Sequence, residues 1–291
     1  MADAKAAGRA ACGESYQGLD CQRLTLPCGD TVLVALQGAH VMSWVSQGRE
    51  RLFLSPDNLW DGKSAIRGGV PVCFPQFNQR GTLPKHGFAR NMNWTVGEAV
   101  ASGDAAHIDL TLSTHPDTLA IWQQAFVAVV RVALAPGQLA ITLTVNNTEA
   151  QNELHFTGAL HTYLAVDDID LTELRGLGGR PEWDAVIDVH GVADEVLYFD
   201  GEFDRVYSWG ESASAKPLHL QDGTGTLQIE QSPSWANSVV WNPGEGKCAA
   251  LADMPAHGFA RMLCVEAAQV FEPISIPAGS QWVGWQRLTV S

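Results

Sequence analysis

Apolar and polar residues alternate with a period of two along much of this chain. HIDLTL (107–112), FVAVVRVAL (126–134) and QLAITLTVN (138–146) are rich in β-branched residues. Such alternation predicts strands buried on one face. TVLVAL (31–36), TLQIE (226–230), SVVW (238–241), MLCVEA (262–267) and QWVGWQRLTV (281–290) carry strand character towards both ends. APGQ (135–138) between two of these runs predicts a hairpin turn. A helical pattern is confined to DTLAIWQQ (117–124), with Asp117 or Thr118 as its N-cap. Strands dominate from end to end, so a mainly β chain is expected, folded as one large antiparallel β-sandwich. No linker or low-complexity stretch divides the chain. A loose N-terminal tail over 1–20 and a single domain over 21–291 are expected.

Charge narrows the partners. Acidic residues outnumber basic ones 32 to 18, a formal net charge of −14 over 291 residues. Such a chain repels nucleic acid and anionic membranes, and no apolar run approaches the ~20 residues needed to span a bilayer. An anionic ligand would need a local cluster of cations. The six cysteines are irregularly spaced without Cys-x-x-Cys, and the nine histidines form no His-x-His or His-Glu-x-x-His. No metal site is therefore expected. The N-terminus has no apolar core like that of a secretory signal. A cytoplasmic protein with reduced thiols is expected.

Candidate chemistry lies where the alternation fails. Residues 52–94 are dense in Gly, Pro and aromatics and read as long ordered loop, with Arg67 ahead of Gly68 and Gly69. Within ELHFTGALHTYLAV (153–166), His155 and His161 share a face if the strand is unbroken. Read alone, His161 fits a core histidine as well as a catalytic one. Glu266 falls inside the apolar run MLCVEA. A buried carboxyl there would be costly and pKa-shifted, whereas a strand-edge glutamate would face solvent. Asp204, in EFDRVYSW, reads as an ordinary local charge. The pentapeptide His-Gly-Phe-Ala-Arg occurs at 86–90 and at 257–261, with unrelated flanks. The second copy is taken as coincidence, and His257 and Arg261 are assigned no role.

Several motifs carry a family resemblance. LFLSP (52–56), AIRGGVPVCFPQF (65–77), LPKHGFAR (83–90), ALHTYLAVDDI (159–169), GLGG (176–179), DRVY (204–207), WNP (241–243) and MLCVEAA (262–268) stand in order over about three quarters of the chain. Together they resemble the aldose 1-epimerase (mutarotase) superfamily, and within it the glucose-6-phosphate 1-epimerase branch. The resemblance implies a galactose-mutarotase β-sandwich with the sugar in a cleft on one sheet face. It also implies His161 as general acid, Glu266 as general base and Asp204 as a holder of sugar hydroxyls. Arg67 and Arg90 would bind ligand, with His86 beside them. Many relatives carry Gln where this chain has Lys85, which could supply a third cation. Gly244 after WNP and the stretch 244–259 also depart from the pattern.

This chemistry requires no cofactor and no metal. A base takes the C1 hydroxyl proton while an acid protonates the ring oxygen. The expected function is interconversion of the α and β anomers of D-glucose 6-phosphate, extending to related hexose 6-phosphates. The expected partner is a small sugar phosphate, bound by a monomer. The alternatives are epimerisation of an unphosphorylated aldose, or a non-catalytic sugar-binding sandwich.

Overall fold

The computed structural model describes residues 11–210 and 216–291. Every strand pairing in its three sheets is antiparallel. Each strongly alternating segment is a strand, and the strands follow the predicted positions closely. Phe126–Ala135 and Gln138–Asn147 form a hairpin whose turn is Pro136–Gly137, with Gly137 at φ +71°. They sit in a ten-stranded sheet between Ala105–Ser113 and Gln281–Val290. Their inward residues, such as Leu110, Val130 and Leu143, are fully buried while the intervening positions face outward.

An eight-stranded sheet has Met262–Ile276 near its centre, flanked by Asn237–Asn242 and Leu154–Leu160. A five-stranded sheet formed by the first strands, Ala11–Tyr16 to Arg49–Glu50, completes the architecture. One apolar cluster joins all three sheets: Val34, Leu143, Leu160 and Val265 belong to it. Burying such a continuous apolar core is the dominant favourable term in folding. Phe156 packs edge-on against Trp282 across the layers. Gln286 donates to the Val265 carbonyl and accepts from Thr162, so this buried amide is paired at both ends.

Three expectations need correction. The tail expected over 1–20 is structured from Ala11, where Ala11–Tyr16 pairs with Leu19–Thr25 from Ala11↔Leu24 to Tyr16↔Leu19; residues 1–10 lie outside the described residues. The helix spans Pro116–Ile121 and is capped by His115, not by Asp117 or Thr118. Pro116 starts it because its missing N–H costs nothing there, and Thr118 Oγ1 accepts the His115 N–H. Finally, the strand holding His155 is broken. Its register shifts between Phe156 and Gly158, and it ends at Leu160. His155 is exposed, near Glu153, and does not share the surroundings of His161.

The loop 52–94 is tightly fixed against the sheets. A Cβ on Gly69 would lie 2.2 Å from the Val41 carbonyl, and one on Gly87 would lie 2.0 Å from that of Phe74. Both glycines also have positive φ, so neither position accepts another residue without the chain moving. His40 supports the same loop from below, its Nε2 2.8 Å from the Gly68 carbonyl.

Candidate active site

Three strands of the eight-stranded sheet bring the central residues together by register. Asp204 pairs with Trp241, and Val239 with Glu266. Positions two apart on each strand face the same side, so Asp204, Trp241 and Glu266 line one cavity. Glu266 is 1% exposed, which rules out the strand-edge reading. His161 enters from the turn after Leu154–Leu160, where its N–H donates to the Pro71 carbonyl at 3.0 Å. Its ring stacks on Tyr163, with centroids 4.8 Å apart and planes 11° from parallel. His86 and Trp241 meet it edge-on at 5.5 and 6.2 Å. These rings leave His161 little freedom to turn.

His161 Nε2 lies 3.3 Å from Glu266 Oε1. Burial, with Asp204 adding to it, holds the Glu266 carboxyl well above the usual carboxylate range. Burial, then the charges of Arg67 and Arg90, push His161 down to about 3. Both shifts favour the neutral form of the pair, a carboxylic acid facing an imidazole, over the ion pair. The other atoms of the pair, Glu266 Oε2 and His161 Nδ1, have no hydrogen-bond partner among the described residues. Burial also raises Asp204 to about 6, with Lys247 opposing the shift. His86 is held neutral, chiefly by burial. Its Nδ1 accepts the Asn78 N–H at 3.3 Å, which leaves the ring proton on Nε2.

The expected cations lie beside this pair. A cavity of about 500 Å³ is lined by Arg67, Lys85, His86, Arg90, His161 and Asp253, among others. A narrower one of about 110 Å³ shares Arg67, Lys85, His86 and His161 with it and reaches Glu266, Asp204 and Lys247. The two form one cleft. Arg67 is not a free cation: its Nε and Nη2 donate to Asp253 at 3.0–3.2 Å, and Nη1 donates to the Tyr163 hydroxyl at 3.1 Å. Burial would lower its pKa, but Tyr163 and Asp253 outweigh that and hold it further up. Arg90 Nη2 donates to the Lys85 carbonyl at 2.9 Å, while its buried Nε has no partner among the described residues. Lys85 is pulled down by burial and by Arg67 and Arg90. All seven residues singled out in the sequence thus line one cleft.

The sequence matches the description "Aldose 1-epimerase" across residues 20–289. The chain belongs to the aldose 1-epimerase family. It is an isomerase that interconverts sugar anomers. A curated relative from Cenchrus ciliaris, named as a candidate glucose-6-phosphate 1-epimerase, is 35% identical over 86% of this chain and 78% of its own length. One from Escherichia coli, with the same name, is 34% identical over 82% and 79%. The crystal structure of a candidate mutarotase from Salmonella typhimurium superposes with a TM-score of 0.87 at 29% identity, covering 97% of this chain and 94% of the other. A galactose mutarotase-like protein from Clostridium acetobutylicum, 15% identical with a TM-score of 0.73 and covering 97% and 98%, shares the fold.

Sequence reading missed four residues of this epimerase cleft. Tyr163 was accessible from the pattern, because it stands two positions from His161 in ALHTYL. Trp241 opens the motif WNP but was given no role, while Asp253 and Lys247 had no local signal; Asp253 meets Arg67 across 186 positions. A larger cavity of about 700 Å³ lies elsewhere, bordered by Tyr16, Trp60, Arg49 and Arg261. Arg49 there is paired with Asp167 and Asp222, and Arg261 donates to the Asp167 carbonyl. It holds neither His161 nor Glu266.

Proposed function

We propose that this epimerase acts on D-glucose 6-phosphate, and on related hexose 6-phosphates, with His161 as general acid and Glu266 as general base. The observation that carries the substrate reading is the charge of the wider cavity. Three cations, Arg67, Lys85 and Arg90, stand there against one carboxylate, Asp253, leaving a formal +2 on a protein of net charge −14. A neutral sugar has no use for that charge, whereas a phosphate dianion matches it. The names of the Cenchrus ciliaris and Escherichia coli relatives agree with this substrate.

In the reaction, the proton of the pair first crosses from Glu266 to His161, giving a carboxylate and an imidazolium. Glu266 then takes the proton of the C1 hydroxyl while His161 gives one to the ring oxygen. The ring opens to the aldehyde, the C1–C2 bond turns, and closure on the other face returns both protons. Asp204 holds sugar hydroxyls, and His86 offers its Nε2–H from the wall. Arg67, Lys85 and Arg90 hold the phosphate. Neither cofactor nor metal takes part. The enzyme works as a single domain that takes in the strands from Ala11 onwards, as a cytoplasmic monomer whose partner is this small molecule. Six free cysteines support a reducing compartment.

Exchange NMR between anomeric protons tests the substrate directly, with glucose 6-phosphate, glucose and galactose in parallel. The reading expects strong acceleration with glucose 6-phosphate and little with the other two. Equal acceleration of all three would make the enzyme a general aldose epimerase. Binding without acceleration would make it a sugar-binding module.

A further inference from the structure

Burial and charge around the central pair favour the reverse of the protonation that ring opening needs. His161 must hold a proton and Glu266 must lack one, yet the burial of both groups, and the cations beside His161, favour the neutral pair with the proton on Glu266. The cause lies partly in the phosphate-sized cluster next door. Arg67, Arg90 and Lys85 share their cavity with His161, and like charge disfavours an imidazolium there. The link is structural as well as electrostatic. Arg67 Nη1 donates to the Tyr163 hydroxyl at 3.1 Å, and the Tyr163 ring lies flat on His161 at 4.8 Å.

We propose that the substrate's own phosphate, seated among Arg67, Lys85 and Arg90, switches the catalytic pair on by moving its proton from Glu266 to His161. The proposal rests on the sugar-phosphate reading above and goes further: the phosphate is an activator and not only a handle. One bond breaks, Glu266 Oε1–H, and one forms, His161 Nε2–H, across 3.3 Å. The phosphate dianion cancels the formal +2 of the cavity, so an imidazolium beside it is no longer opposed.

The other groups around His161 do not perform this switch. Asp204 stands beyond Glu266 and raises it, and Asp253 is already committed to Arg67. His86 is neutral, and burial keeps the Tyr163 hydroxyl and the thiols of Cys73 and Cys264 protonated. Only an anion arriving at the cations changes the balance. An unphosphorylated sugar would then be a poor substrate even when saturating, so the discrimination falls in kcat as well as in KM.

The test uses the full-length protein labelled with ¹⁵N-histidine. It is titrated at neutral pH with 1,5-anhydroglucitol 6-phosphate, which has no anomeric hydroxyl, and with unphosphorylated 1,5-anhydroglucitol. The His161 signals are identified by their loss in His161→Asn. The expected result is imidazolium nitrogen shifts for His161 with the phosphorylated ligand and neutral shifts with the other. A second measurement supplies the substrate in two pieces, following enzyme-dependent anomer exchange of glucose with and without inorganic phosphite. Each pKa unit gained by His161 raises its protonated fraction about tenfold, so saturating phosphite should speed glucose at least about tenfold. Bound 1,5-anhydroglucitol 6-phosphate with His161 still neutral overturns the proposal, while rapid turnover of glucose 6-phosphate leaves the substrate reading standing. No binding of the phosphorylated ligand and no turnover of glucose 6-phosphate overturn both.

Discussion

The ten-stranded and eight-stranded sheets are built from similar residues and do different work. In the first, Phe126–Ala135, Gln138–Asn147 and Ala105–Ser113 alternate buried and outward positions almost without exception. In the second, Met262–Ile276 opens with nine buried residues in succession, and Asn237–Asn242 is buried at five of six positions. Phe77 from loop 52–94, and Cys248 and Met254 from the segment after Asn242, pack on the outer face of that sheet and turn it into an interior. A polar residue there loses water, and its pKa moves. Glu266, His161 and Asp204 are all in or beside this doubly covered sheet, and all three are shifted. One sheet supplies the apolar core. The other gives up the simple pattern to hold groups that are costly to bury and useful for proton transfer.

The sharpest way to break this contrast is to exchange the two kinds of change. Glu266→Gln should lower catalysed anomer exchange by roughly 10²–10⁴-fold, the usual contribution of a placed acid or base. Its thermal unfolding at neutral pH should be nearly that of wild type, because Gln has the shape of the neutral carboxyl that burial favours there. Leu143→Ala, in the ten-stranded sheet, should do the opposite. Loss of a fully buried leucine costs about 2–5 kcal/mol of stability, read by denaturant titration, while the rate per folded molecule stays unchanged.

A smaller effect separates the pair from its cationic surroundings. Arg90→Ala should lower kcat/KM for glucose 6-phosphate by roughly 10–100-fold, as expected for one charged hydrogen bond, and leave glucose almost untouched. Steady-state exchange rates on both sugars give the ratio, and an equal loss on both would remove Arg90 from the phosphate.

The smallest effect is on stability against pH. Burial holds His40 at about 4, below its unfolded value. A lowered histidine contributes stability above about pH 6.5, and that stability is lost as pH falls towards its folded value. Glu266, raised, works in the other direction: its contribution is complete at acid pH and declines as pH rises. Thermal scans should show wild type losing stability from about pH 6.5 towards pH 4. His40→Gln keeps a donor for the Gly68 carbonyl and should flatten that slope by up to one proton, about 1.4 kcal/mol per pH unit. An unchanged slope would contradict a neutral buried His40.

The same contrast explains what was legible in the sequence. Every alternating run became a strand at its expected place, because period two fixes which face is buried. Family motifs located His161, Glu266, Asp204 and the cations, but the pattern of residues alone left His161 and Glu266 undecided. Their burial comes from loop 52–94 and neighbouring strands that meet only in the fold, which no local rule describes. The partners of Arg67 were hidden for a related reason. Asp253 and Tyr163 reach it only through the fold, so the bare sequence made a clamped guanidinium look free. His155 misled because a register shift at Gly158, whose Cβ would lie 2.5 Å from the Cys73 carbonyl, interrupts the alternation.

The central claim is that one buried acid–base pair, 3.3 Å apart, opens and closes the sugar ring. Magnetisation transfer between the α and β anomeric protons of equilibrated glucose 6-phosphate tests it most directly, comparing wild type with Glu266→Gln and His161→Asn. The account predicts rapid transfer with wild type and a return to the spontaneous rate in both variants, each still folded. A wild-type rate in either variant would contradict it.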